Sequence, residues 1–484
     1  MNRANVLLAW VLFCHVLMHL SFEASAEPTE TVDVVIIGAG ASGLTAAKEF
    51  SDENILYTVL EASSRVGGRI RTDPFPFGLN IISNAGAELI DSTHCDAISL
   101  IKGLGCELVE RPRKGLDIFE IKGQFYSWAD LTEEIFDTEL NALSKIQQII
   151  SAAQSSLHGH RELDEKSAAS VLLLIENAPL LKGLIETLLL SEYGLPLSQL
   201  SASILSEVIH IDMEGKRIGL LPQNDERYIV KGGTQIFIDR LSDRLEKQIR
   251  LNHQVTDITE NNDGSFLVRY ENGGIVKNIQ TKILVSSVPS FQLVNIKLQG
   301  DSFTGIKAEK PRQFASNGKL ILYFSKRVWE DYNISGNGML QTFSAQMWDS
   351  SVLQDTSFGS LTLYFSDKML ETNSDDELLL LSKRILVELE RIIPGITQYF
   401  IHARYYSWPS SYSDAPRPGE KMLQKNIVSR TGRFFRIGEE HDDLSQGYVN
   451  GAVRSAKTVV KDVLYSLGLH KSSSCRSAIG AEIR

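Results

Sequence analysis

Between Val32 and Phe50 the chain reads VDVVIIGAGASGLTAAKEF: an unbroken apolar run, a glycine turn, then an alanine-rich segment. An apolar run without alternation suits a strand covered on both faces, and the alanine-rich part suits a helix. YTVLEA follows and carries the chain to Glu61, which makes the unit strand, helix, strand with parallel strands. Gly38, Gly40 and Gly43 have the spacing G-x-G-x-x-G. The first permits the tight turn, the second lets backbone approach a pyrophosphate, and the third lets helix pack on strand. Ala41 and Ser42 open the helix whose N-terminus would face that anion. Glu61 stands 18 residues past Gly43, in position for ribose hydroxyls. An ordinary glycine turn has neither the flanking strand and helix nor the acid. The motif implies dinucleotide binding without separating a nicotinamide from a flavin nucleotide.

The rest of the chain must be organised around that unit. With 484 residues, 43% hydrophobic and 23% charged, it can build a sizeable core in two or three domains. A formal net charge of −11 gives a nucleic-acid role little support, since such a role needs a basic surface. Arg3, an apolar run from Val6 to Phe22 and Ala24-Ser25-Ala26 read as a signal peptide cut after Ala26, so the protein is expected to be secreted or periplasmic. An uncleaved anchor is the alternative, weakened by His15 and His19. Cys95, Cys106 and Cys475 then remain, with no metal-ligand spacing; Cys95 and Cys106 are either a disulfide or buried thiols. Asn333-Ile334-Ser335 is the one glycosylation sequon. Apolar residues recur with helical period from Leu131 to Ala153, more helix is expected through Ser191, and a β-meander spans 248–289 with Asn-Asp-Gly and Asn-Gly-Gly turns. Further strands are expected within 317–332 and 359–365, a helix over 375–393, and 458–467 as the close of the ordered part. His158-Gly159-His160 reads as a polar surface loop with no third ligand, so no metal site is expected.

Directly after Glu61 comes ASSRVGGRIRT, Ala62 to Thr72. Gly67 and Gly68 allow close backbone approach, and Arg65, Arg69 and Arg71 carry forked donors suited to phosphate. Here the chain resembles the flavin-containing amine oxidase family, which includes monoamine, polyamine and L-amino-acid oxidases. NAGAELID, with Ala85, Gly86, Ala87 and Glu88, is similar to the family's glycine segment beside the flavin. ERYIVKGGTQIFIDRL resembles its double-glycine helix entry. HQVTDI resembles the strand whose valine, here Val255, meets the adenine side. RFFRIGEEHDDLSQGYVNGAVRSAKTVV is similar to the second FAD segment, where Gly438 and Glu439 would meet the ribityl and pyrophosphate, and the amides near Tyr448 and Val449 the flavin. The polar run Glu440 to Asp443 beside it reads as a solvated turn. The resemblance implies an α/β fold: a Rossmann-like FAD-binding domain of discontinuous segments, 27–98, 206–297 and 424–470, with an interleaved α+β substrate-binding domain, 99–205 and 298–423. A disordered tail is expected at 471–484.

The remaining residue assignments follow the same resemblance. In NGKLILYF, Asn317 to Phe324, alternation puts Lys319, Ile321 and Tyr323 on one face. Lys319 is either a surface charge on an edge strand or the family's lysine that holds a water against the flavin and assists oxygen. The family holds its amine between two aromatic rings. Tyr448 matches the second ring; for the first, YYSWPSSYSDAPRPGE offers Trp408 and Tyr412, Trp408 having a packing role as the alternative. Ser411 stands where covalently flavinylated members have cysteine, so noncovalent FAD is expected. The reaction implied is oxidation of a primary or secondary amine or polyamine to an imine, with O2 reduced to H2O2. An L-amino-acid oxidase is the nearest rival; it would need a cation for the substrate carboxylate, from Arg404 or Arg417, whereas GAELID presents Glu88 and Asp91. A noncatalytic flavin-binding protein is the rival from another class.

Overall fold

A computed structural model describes residues 30–469 apart from 75–79, 113, 222–223, 309–311, 371–373, 414 and 422–429. The expected signal peptide, the tail and Cys475 lie outside the described residues.

The first apolar run forms the strand Glu30–Ile37, flanked in parallel by Tyr57–Leu60 and Ile275–Ser286. Val34 and Ile36 point to one face and join a core with the helices Ala41–Asp52, Gln235–Asp243 and Val449–Ser466. Val35 and Ile37 point to the other and join Phe266, Phe303 and Phe434. Cover on both sides is why the run is continuously apolar. The expected meander is present as Gln254–Glu260, Phe266–Asn272 and Ile275–Ser286, antiparallel in sequence. The twelve-residue strand Ile275–Ser286 also pairs with Phe434–Arg436, which brings the C-terminal segment beside the first strand and completes a nine-stranded mixed sheet.

A second, seven-stranded sheet has the order Phe400–Trp408, Asn317–Phe324, Gly359–Ser366, Ala345–Asp349, Ile334–Leu340, Leu116–Ile121, Gln124–Ser127. Every residue of Asn317–Phe324 is buried. Leu320, Leu322 and Phe324 pack with Leu361, Leu363 and Phe365 against the helix Asp375–Glu390, while Asn317, Lys319, Ile321 and Tyr323 occupy the opposite face. Lys319 therefore lies on an interior strand, hydrogen-bonded on both sides, and the edge-strand alternative falls.

Three other expectations change. The helical stripe of 131–153 is two helices, Trp128–Thr138 and Leu140–Ser155, broken at Glu139. The Glu139 carboxylate accepts from the amides of Leu180 (2.9 Å) and Leu181 (2.7 Å), capping the helix Pro179–Tyr193. His158 and His160 sit on a helix, Leu157–Asp164, whose Ser156 cap accepts from the Gly159 amide; among the described residues no cluster of metal-ligating side chains forms. Cys95 is exposed and Cys106 buried, both as free thiols, so the disulfide alternative is not realised. Among the described residues no helix is long and apolar enough to cross a membrane.

Candidate active site

The turn after the first strand is shaped by contact. A Cβ on Gly43 would run into the carbonyl of Gly38, whereas a Cβ on Gly40 or on Gly438 would meet nothing within 4 Å. Gly67 and Gly68 close on this turn: the Gly67 amide donates to Ala39 O at 2.8 Å. Glu61 accepts from the Ala39 amide (2.7 Å) through one carboxylate oxygen and from Ser63 through the other, which fixes the end of the second strand to the turn; Ala62 is exposed beside it. The helices Ala41–Asp52 and Val449–Ser466 pack together, and neither has a side-chain cap or an acidic residue in its first turn. Two uncapped N-termini beside open glycines are a ready place for a pyrophosphate and an electron-rich ring edge, so a flavin dinucleotide fits the residues present.

The three arginines divide the work differently from expectation. Arg65 turns back on its own loop, donating to Val66 O, Ile70 O and Gly68 O, and burial pushes its guanidinium pKa down. Arg71 clasps Asp73 at 2.9 and 2.8 Å. Only Arg69 crosses to the second segment, where its guanidinium meets Glu439 at 2.7 Å and Ser411 O at 3.1 Å. Glu439 is buried and also accepts from Ser413 Oγ (2.5 Å) and the Gly447 amide (2.8 Å). Glu440 to Asp442 is not a solvated turn. Glu440 accepts from the amide and hydroxyl of Ser290, Asp442 pairs with Arg454 at 2.5 and 2.8 Å, and the His441 side chain is enclosed, its pKa held far below the ordinary value by burial with Arg436 and Arg312 nearby. Only Asp443 of this run is exposed. Val255 is buried on its strand, just before a register shift.

Residues 84–88 form a strap at the joint between the sheets, and four consecutive carbonyls of it have side-chain donors. Lys319 Nζ donates to Asn84 O (3.1 Å) and Gly86 O (2.9 Å), Trp408 Nε1 to Ala85 O (2.7 Å), and Thr234 Oγ1 to Ala87 O (2.6 Å). On its amide side the strap is held by Arg69 and Arg71 carbonyls, so tightly that a Cβ on Gly86 would strike Arg69 O. Lys319 completes its three hydrogen bonds on Glu88 Oε2 at 3.0 Å; both side chains are buried. The Trp348 ring lies 5.1 Å from the ammonium, and its indole N–H donates to the same Glu88 oxygen at 3.3 Å. Trp408 thus secures the strap through its indole N–H.

The two tyrosines have distinct supports. The Tyr448 hydroxyl accepts from the Asn224 amide, and its ring lies 5.0 Å from His94. His94 Nδ1 accepts from the Asp91 amide at 3.2 Å, and Nε2 lies 3.3 Å from Asp91 Oδ2. Burial pushes Asp91 up to about 6 and His94 down to about 4. Tyr412 donates to Glu192 O (2.8 Å) and Oε1 (3.2 Å), and burial beside Glu192 raises its phenol pKa well above the ordinary value. Asn317 binds Ser191 O and Glu192 O and accepts from Ser411 Oγ at 2.6 Å. Arg404 is engaged with Pro74 O and Asp73, and Arg417 with Glu420. Trp348, His94, Asn224, Glu192 and Asn317 were not singled out from sequence. Asn317 alone had a readable signal, two positions before Lys319 on the same strand face.

The family of flavin containing amine oxidoreductases matches residues 41–464. The chain is 22% identical to polyamine oxidase 5 of Oryza sativa subsp. japonica, covering 96% of this chain and 91% of the relative. It is 25% identical to an L-amino-acid oxidase of Siganus canaliculatus, covering 90% and 87%. Cyclohexylamine oxidase from Brevibacterium oxydans superposes with a TM-score of 0.75 at 18% identity, covering 91% of this chain and all of that one.

Proposed function

The chain belongs to the flavin containing amine oxidoreductase family, and from that membership we propose that it binds FAD noncovalently and oxidises a primary or secondary amine, or a polyamine, to an imine. FAD when bound supplies the acceptor for a hydride equivalent from the substrate α-carbon and passes the electrons to O2, giving H2O2. The open glycines and helix ends would hold the dinucleotide, and Arg69, tied to Glu439, would join its two binding segments. Tyr412 and Tyr448 would orient a neutral amine between their rings, and Lys319 would act at the oxygen-reacting side. Water would then hydrolyse the imine to an aldehyde and an amine or ammonia.

The observation that carries this reading is Lys319, a buried cation held on the strap where the two sheets meet. Amines are favoured over amino acids by charge. Glu192 stands beside Tyr412, and the arginines considered for a substrate carboxylate, Arg404 and Arg417, are engaged with Asp73 and Glu420. L-Amino-acid oxidation is the second reading, supported by the similarity to the Siganus oxidase. On the sequence of residues 1–26 the protein is proposed to be secreted or periplasmic.

A peroxide-coupled screen of the purified yellow protein against primary amines, polyamines and L-amino acids tests this. Turnover with amines alone is the expected result. Turnover with amino acids would transfer the assignment to the second reading, and silence with every substrate would leave a noncatalytic flavin-binding protein.

A further inference from the structure

Lys319 and Glu88 approach from different parts of the fold: the lysine from an interior strand of the seven-stranded sheet, the glutamate from the strap. Their side chains are 8% and 5% exposed, and the ion pair is 3.0 Å long. All three ammonium hydrogens have strap oxygens to meet, and the Trp348 ring and N–H bind the lysine and the glutamate at once. A carboxylate this close cancels most of the lysine's field beyond a few ångströms, in a setting where water screens little.

We propose that Glu88 is the positioning residue of Lys319: it fixes the ammonium on the strap and sets to near zero the net charge that the lysine presents to the flavin. This rests on the proposed flavin site and deepens it. The sequence places a formal cation at this point; the structure places a neutral pair there. The consequence is a pattern of opposite signs. Glu88→Gln keeps an acceptor for Nζ and leaves a net positive charge, Lys319→Met leaves a net negative one, and the double variant restores neutrality.

The test is a sulfite titration of the purified holoprotein, since this anion binds oxidised flavin and bleaches its visible absorbance. Glu88→Gln is expected to tighten sulfite binding about tenfold and Lys319→Met to weaken it about tenfold, with the double variant returning close to wild type. Glu88→Asp, which keeps the charge, should also stay close to wild type. Purely structural roles would instead lower flavin content and move both single variants the same way, with no recovery in the double. That result, or no shift in either, overturns the proposal. If Glu88→Gln does not fold, Lys319→Met against the double variant still decides the sign. The expected pattern in a yellow protein that oxidises no amine would sink the functional reading alone, and a colourless protein would sink both.

Discussion

Asp91 and His94 share one buried corner behind Tyr448, and burial moves them in opposite directions. The folded state holds the Asp91 proton more tightly than the unfolded chain does, from an ordinary value of 3.8 up to about 6, so across that window rising pH lowers the stability this group contributes. His94 is the reverse. With its value lowered from 6.5 to about 4, the unfolded chain takes up a proton that the folded state refuses, and rising pH adds stability through that window. The two slopes offset one another between pH 4 and 6, which hides both in the wild type. Relative to wild type, Asp91→Asn should therefore gain stability as pH rises from 4 to 6, and His94→Gln should lose it, each on the order of 2 kcal/mol. Urea unfolding at pH 4, 5 and 6 measures the difference, and parallel slopes in all three proteins would remove the pair from this account. None of this was legible in GAELIDSTHC, because what matters is the enclosure of the corner by Asn224, Asp225 and Tyr448, which arrive from distant parts of the chain.

The strand, turn and helix at 30–52 were legible because their determinants are local: an apolar run, glycines at fixed offsets, alanines at helical spacing. The structure adds that the glycines do unlike jobs. Gly43 is required by the fold, since its Cβ would strike the Gly38 carbonyl; Gly40 faces open space. Gly40→Ala should leave the melting of the apoprotein unchanged and weaken FAD binding by about tenfold or more. Gly43→Ala should destabilise the apoprotein by about 2 kcal/mol. Equal effects of the two substitutions on apoprotein stability would contradict this division. Elements whose limits depend on remote partners were misjudged. Helical period ran across Glu139 because its carboxylate answers to amides 41 and 42 positions later, and Glu440 to Asp442 looked solvated because Ser290 and Arg454 could not be seen beside them. Glu139→Ala removes two charge-assisted hydrogen bonds at the entry of Pro179–Tyr193 and should cost about 2 kcal/mol by urea unfolding, with flavin content unchanged.

Taken as one molecule, the two sheets are sewn together at the site. Arg69 reaches Ser411 O across 342 positions and Lys319 reaches Glu88 across 231, while Ser411 and Ser413 tie one loop to Asn317 on the second sheet and to Glu439 beside the first. The α/β class and the order of its motifs could be read from the chain; that its polar groups converge at one joint could not, because convergence is set by sheet order. A dinucleotide lodged at that joint should act as a further stitch. If it binds the folded state alone, FAD at about 100 times its dissociation constant should add about 2.7 kcal/mol, and the melting temperature should climb with FAD concentration. Ser411, where the resemblance puts cysteine in covalently flavinylated members, offers a hydroxyl already bonded to Asn317, in keeping with the proposed noncovalent FAD. Acid precipitation should accordingly leave the yellow colour in the supernatant, and the redissolved apoprotein should melt lower until FAD is returned. Flavin retained in the pellet would refute the noncovalent assignment. A melting temperature indifferent to FAD would show instead that the sheets hold their joint without it.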